Sequence, residues 1–244
     1  MQSLKATRAS QTAFFVQTIH LQKGAAELRS RIFIWPFAMA AIGIGCFCYK
    51  YMLGPFRPEL SRARYLDIRT AVSAAPSAVV VFGDSIFLAA PIPDTACGTP
   101  IVNAGVGVPA FSTLSDSDEL LGSSTPKLIV LAVGVNDAHA DTSQKFRTRY
   151  LAVVKKLTRR APVVLATLAP VQPGSMARLF DAELIPSLNA AIKEMSEVVA
   201  VIDLHGSMNE ENLTTDGIHL NSREYDMWIK VMMEGIDSAL GCKV

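Results

Sequence analysis

Charge is scarce in this chain. Asp, Glu, Lys and Arg make up only 18% of its 244 residues, against 50% in the hydrophobic set. That balance excludes a wholly disordered chain. Cysteine is scarcer still, and four residues do not frame a small disulfide-stapled scaffold. No Gly-x-Gly-x-x-Gly fingerprint and no Walker loop occurs; Gly105-Val106-Gly107 lacks the third glycine, so no nucleotide cofactor is expected. A Gly-x-Ser-x-Gly nucleophile elbow is missing as well. Asp137, His139 and Asp141 form a short cluster without a cysteine or second histidine at ligand spacing, so no metal is expected. There is no repeat period and no low-complexity tract. The net charge of +1 hides an asymmetry: residues 1–73 carry ten Lys/Arg against three Asp/Glu, leaving the remainder mildly acidic. An acidic domain lacks the basic face that phosphate contacts need, so no nucleic-acid partner is expected.

What the sequence does have begins with an uncharged run of eighteen residues, Ile32 to Tyr49, between Arg31 and Lys50. As a helix it would be about 27 Å long, close to the hydrocarbon thickness of a bilayer. Trp35, Tyr49 and Tyr51 stand near its ends, where amphipathic rings favour the interface. Pro36 falls in the first turn, where a helix tolerates it. The run reads as a single uncleaved transmembrane helix, a signal-anchor spanning residues 31–53 and contacting the membrane through residues 32–49. A cleaved signal peptide fits less well, because thirty-one residues precede the run and Ala38-Met39-Ala40 lies inside it. Gly43-Ile44-Gly45-Cys46 lacks the large aliphatic residue of a lipoprotein box. Flanking charge does not orient the anchor, since residues 1–31 and 50–69 each hold five Lys/Arg. Residues 1–30 read as a polar segment and residues 54–76 as a basic juxtamembrane linker. In that linker Arg57, Arg62, Arg64 and Arg69 alternate with Leu60, Tyr65, Leu66 and Ile68. This pattern suits a membrane-facing basic helix and a solvated linker helix equally.

Residues 77–244 read as one domain. Apolar runs of strand length stand at Ala78–Phe82, Lys127–Val133, Val163–Thr167 and Val198–Ile202, with a weaker one at Pro100–Val102. Runs without polar alternation suit strands covered on both faces, as in a parallel sheet. Between them lie helical segments at Ser112–Leu121, Thr142–Arg160, Met176–Glu197 and Ser222–Leu240. The alternation defines an α/β layer architecture, in which chemistry gathers beyond the carboxyl ends of the strands.

Those ends carry Gly83-Asp84-Ser85-Ile86, Asn103-Ala104-Gly105 and Gly134-Val135-Asn136-Asp137, with Asp216-Gly217-Ile218-His219 before the last helix. A serine hydroxyl needs an adjacent base to act as a nucleophile, and His219 is placed to be one. Asp216, three residues earlier, is the candidate to hold the other ring nitrogen. An oxyanion would need fixed donors: the Ser85 N–H, the Gly105 N–H and the Asn136 side-chain amide. The competing readings are a helix-capping role for Ser85 and an ordinary turn at Asn136-Asp137. Asp203 reads as structural and His205 as a partly exposed loop residue.

Ser85, Gly105, Asn136 and His219, in that order, resemble the signature of the SGNH hydrolases, also called the GDSL esterase/lipase family. The first block here is Gly-Asp-Ser-Ile instead of Gly-Asp-Ser-Leu. The third keeps Gly-x-Asn-Asp and the last keeps Asp-x-x-His. Where members often carry Gly-Tyr shortly after, Glu224-Tyr225 stands here. The resemblance runs from residue 78 to about residue 240. It implies a flavodoxin-like three-layer α/β/α sandwich with a parallel five-stranded sheet in the order 2-1-3-4-5. It further implies a serine esterase with Ser85, His219 and Asp216 as its triad and with no cofactor.

With the anchor, the expectation is a membrane-bound esterase acting on short, acetyl-like acyl esters, carried by a small molecule or a cell-surface saccharide. The domain would then lie on the periplasmic or extracytoplasmic side. An O-acyltransferase of the same fold is one alternative. A lysophospholipase or thioesterase, with an apolar groove at Phe87, Leu88 and Phe111, is another, and a catalytically silent anchored module is the third. In an oxidising compartment Cys97 and Cys242 could pair.

Overall fold

The structure, a computed structural model, describes residues 58–107, 116–138, 143–197, 199–208 and 212–242. The expected transmembrane helix and the polar segment before it lie outside them. Among the described residues no helix is long and apolar enough to cross a membrane. The elements run α1 (Pro58–Ala74), β1 (Val79–Gly83), α2 (Ser85–Ala89), β2 (Thr95–Ala96) and β3 (Thr99–Gly105). There follow α3 (Ser117–Leu121), β4 (Leu128–Ala132), α4 (Ser143–Leu157), β5 (Val163–Ala166), α5 (Leu184–Lys193), β6 (Ala200–Ile202) and α6 (Ser222–Ala239).

The apolar runs make the sheet. β1 and β5 are buried along their whole length and β4 nearly so, as strands covered on both faces must be. The sheet order is β2-β3-β1-β4-β5-β6. Its five parallel strands stand in the expected 2-1-3-4-5 arrangement. The expected five-stranded sheet is nevertheless a six-stranded one, because β2 adds a short antiparallel strand to β3. Cys97 and Gly98, both at positive φ, form the two-residue turn between them. Such a turn matches the twist of a hairpin. β3 itself is seven residues long, although its sequence signal was weak. It lies near the edge, so polar and partly exposed residues interrupt its apolar positions.

Right-handed crossovers place α3, α4 and α5 on one face and α2 on the other. The packing agrees: α1 lies on α3, α4 lies on α5, and Trp228 of α6 meets Phe87 of α2 edge-on at 5.2 Å. Where a linker over 54–76 was expected, Pro58 onward is a helix of the compact unit itself. Pro58 opens it, as proline can in a first turn. Ile68 and Val72, one turn apart, are each only 1% exposed. The expected single helix over Met176–Glu197 is broken into a 3₁₀ turn at Ala177–Leu179, α5, and a second 3₁₀ turn at Glu194–Glu197. Pro186 explains the late start of α5, because proline is accommodated only in a helix's first turn.

Cys97 and Cys242 are joined in a disulfide, with their Cα atoms 6.4 Å apart. It ties the hairpin turn to the residues just after α6.

Candidate active site

Ser85 is the first residue of α2, directly beyond the carboxyl end of β1. Asp84 caps that helix, its Oδ1 accepting the Ile86 N–H at 3.0 Å. Tyr225 braces it from α6, donating its hydroxyl to Ile86 O at 2.8 Å. The opposing loop is equally constrained. A bridge between Thr214 and Leu220 closes it, and the Thr215 N–H donates to His219 O at 2.8 Å. Inside it the Asp216 carboxylate is fully employed. Oδ1 accepts the Ile218 and His219 N–H groups at 3.0 and 2.9 Å, and Oδ2 faces His219 Nδ1 at 2.7 Å. Burial pushes the Asp216 pKa up, but these hydrogen bonds and the nearby imidazole outweigh it and hold the carboxyl below its ordinary value. Asp216 is therefore ionised at neutral pH and only accepts. Nδ1 is then the donor to Oδ2, and in the neutral ring this puts the Nε2 lone pair towards Ser85 Oγ at 3.0 Å. Three side chains 131 or more residues apart at their extremes, Ser85 against Asp216 and His219, thus form one continuous hydrogen-bonded line.

Asn136 lies on a 3₁₀ turn, Val135–Asp137, just past β4. β4 and β1 are neighbours with Gly83 opposite Ala132, so this turn and Ser85 leave adjacent strand ends. Gly105 departs from its expected role. Its N–H donates to Asn103 Oδ1 at 2.8 Å and is not free to meet an oxyanion. The glycine is required for another reason: a Cβ there would come within 2.6 Å of the Leu88 backbone nitrogen. Phe87 also departs from expectation: instead of lining a groove it is fully buried against Trp228. Leu88 remains 41% exposed, while Phe111 lies outside the described residues.

Asp203 pairs with Lys193 at 2.6 Å and accepts the Thr167 hydroxyl at 3.1 Å, away from His219. His205 Nδ1 lies 3.1 Å from Leu168 O. His139 is outside the described residues. Among the described residues Cys97, Asp237 and Cys242 lie at metal-ligand spacing, but the two sulfurs are bonded to each other.

Three residues to which the sequence assigns no role support the site. Tyr225 braces α2 as described. Asn103 holds Gly105 and donates Nδ2 to Phe87 O at 3.0 Å. Gln172 uses Oε1 to accept the Leu213 and Thr214 N–H groups at 2.7 and 3.1 Å, at the base of the Asp216 loop. Asn103 and Tyr225 stand in or beside the motif blocks, but only their contacts show what they do.

Ser85 beyond the end of a parallel strand, with His219 and Asp216 lined up on it from the loop before α6, is an arrangement suited to the chemistry of a serine hydrolase. Residues 81–227 match the GDSL-like lipase/acylhydrolase family. The chain belongs to that family, and it is a carboxylic ester hydrolase. No curated protein matches the sequence. Solved structures of similar fold include a protein described as an acylhydrolase from Bacteroides fragilis. It is 21% identical with a TM-score of 0.61, the alignment covering 70% of this chain and 95% of that one. A GDSL-like lipase from Bacteroides thetaiotaomicron is 20% identical, TM-score 0.58, covering 72% and 97%. A carbohydrate acetylesterase from Sinorhizobium meliloti is 13% identical, TM-score 0.55, covering 67% and 99%.

Proposed function

We propose that the chain is a membrane-anchored serine esterase that removes short, acetyl-like acyl groups, with acylated cell-surface saccharides as its substrate class. The observation that carries the esterase chemistry is the 3.0 Å approach of His219 Nε2 to Ser85 Oγ, with Asp216 on the other ring nitrogen. Ser85 Oγ attacks the acyl carbonyl as its proton passes to Nε2. Asp216 steadies the imidazolium, and the Ser85 N–H and Asn136 amide receive the negative charge on the carbonyl oxygen. Collapse of this intermediate breaks the ester C–O bond, and His219 returns the proton to the departing alcohol. His219 then takes a proton from water as its oxygen adds to the acyl carbon, and returns that proton to Ser85 Oγ as the acyl–serine bond breaks and the acid leaves.

The uncharged run Ile32–Tyr49 supports the anchor. The Cys97–Cys242 disulfide supports an oxidising, extracytoplasmic location. Similarity to a carbohydrate acetylesterase supports the saccharide. A second reading, a longer acyl chain, is favoured by exposed Leu88 beside Ser85, and by Met176, whose N–H donates to Asp216 O.

The deciding experiment compares the full chain with Ser85→Ala on chromogenic esters from acetyl to dodecanoyl. The expected result is turnover that requires Ser85 and is greatest at acetyl or propionyl. A maximum at long chains replaces the saccharide reading with a lipid one. Ser85-independent turnover rejects the mechanism. Asn136→Ala is expected to lower kcat by about 10²–10³ if its amide serves the oxyanion.

A further inference from the structure

The helix that precedes the family-matched region sends one side chain towards the site. β3 pairs with β1 along one edge, but with β2 only at Thr99 and Pro100 along the other. In a parallel strand the peptide groups of alternate residues face opposite edges. The Val106 N–H donates inward to Gly83 O at 3.1 Å, and the Ile101 N–H donates outward to Asp94 O at 2.8 Å. By that alternation Asn103 and Gly105 turn their carbonyls to the outer edge, where they need partners from outside the sheet.

Arg64 of α1 supplies both. Its Nη2 donates to Asn103 O at 2.7 Å and its Nε to Gly105 O at 3.0 Å. Nη2 also lies 3.5 Å from Asn103 Oδ1. That same oxygen accepts the Gly105 N–H, while Asn103 Nδ2 donates to Phe87 O in the helix that begins with Ser85. One guanidinium thus stands in for a missing strand. A lysine could not span the two carbonyls, because its ammonium is a single point and not a planar fork.

We infer that Arg64 is a positioning residue for the Ser85 reaction. From outside the family match it fixes the exit of β3 and, through Asn103, the helix that carries the nucleophile. It touches no reacting atom, and the inference rests on the Ser85 esterase reading.

The test uses the full chain as wild type, Ser85→Ala, Arg64→Ala, Arg64→Lys and Arg69→Met, on one short acyl ester, with thermal unfolding of each. Displacement of reacting groups by about 1 Å costs about 10²-fold in rate, so Arg64→Ala is expected to lose up to about that in kcat with little change in KM. Millimolar guanidine should restore part of the loss and methylammonium none. Arg64→Lys should retain the fold with a reduced kcat. Arg69→Met removes only an exposed ion pair of the same helix with Glu119 and should leave kcat unchanged. If Arg64→Ala does not fold, Arg64→Lys decides: folded with full kcat, it overturns the inference. A loss that follows only the folded fraction and is not rescued by guanidine overturns it as well. Wild type without Ser85-dependent turnover overturns the esterase reading itself, so the two failures are distinguished by the wild-type arm.

Discussion

Two carboxyls near the nucleophile have pKa values far above those of carboxyls in water. Asp84 is only 3% exposed, and burial pushes its pKa up to about 6 against the opposing Ile86 N–H and His219. Asp137 is likewise raised to about 6 by burial, with Asp84 adding to the effect and Arg149, 3.9 Å away, opposing it. Asp137 Oδ2 has no hydrogen-bond partner among the described residues. The folded chain therefore keeps protons that the unfolded chain releases near pH 4. Their contribution to stability is full below that pH and is lost as pH rises through about 6. Asp216 acts in the opposite sense: its lowered pKa stabilises the fold above about pH 4, and that stability is lost in stronger acid. Asp84→Asn should flatten the decline in melting temperature between about pH 4 and pH 7; an undiminished decline would show that Asp84 does not hold a proton there. Ser85, Asp216 and His219, which the structure brings within hydrogen-bond reach, stand out in the sequence as chemically distinctive residues at a strand end or turn. The sequence does not reveal the role of Tyr225, whose hydroxyl bonds Ile86 across 139 positions. It also misassigns Gly105, because a glycine needed for close packing and one needed as a donor look the same.

At the scale of elements, the loop bearing Asp216 and His219 is shaped by a second loop that its own sequence does not mention. The Met176 N–H donates to Asp216 O at 2.8 Å, and the Gln172 N–H to Gly217 O at 2.9 Å. A Cβ on Gly174 would overlap the backbone of Asp216 and Gly217. Gly174→Ala should push the loop that carries Asp216 and His219 away from Ser85 and lower kcat by about 10²-fold. A melting temperature measured alongside separates displacement from unfolding, and an unchanged kcat would show that the two loops move independently. Pro170 and Gly174 mark this stretch as a loop in the sequence, but what it packs against depends on the fold. The helices show the same division. α4 and α6 lie close to their expected spans, whereas the broken segment around α5 depends on Pro186. A periodicity reading over Met176–Glu197 passes over that single residue.

At the scale of the whole molecule, the parallel strand order follows from the alternating pattern and the family resemblance. The antiparallel β2 does not, because two residues carry no periodicity. Nor does the place of α1, whose basic composition resembles a linker although Ile68 and Val72 are core residues. The disulfide adds a covalent link that spans 145 residues. Cys97→Ser should cost about 2–5 kcal/mol, read as a lower melting temperature that reductant no longer changes. Equal melting of wild type with and without reductant would show that the link adds nothing to stability. The link also sorts the chain into two classes of position. Asp216 and His219 lie inside the closed segment, and Ser85 lies outside it. A protease that cuts once at an exposed turn such as the one at Leu179 leaves two pieces still bonded to each other, the histidine's piece tethered to the serine's. One broken peptide bond in that segment therefore does not let the two halves of the site diffuse apart.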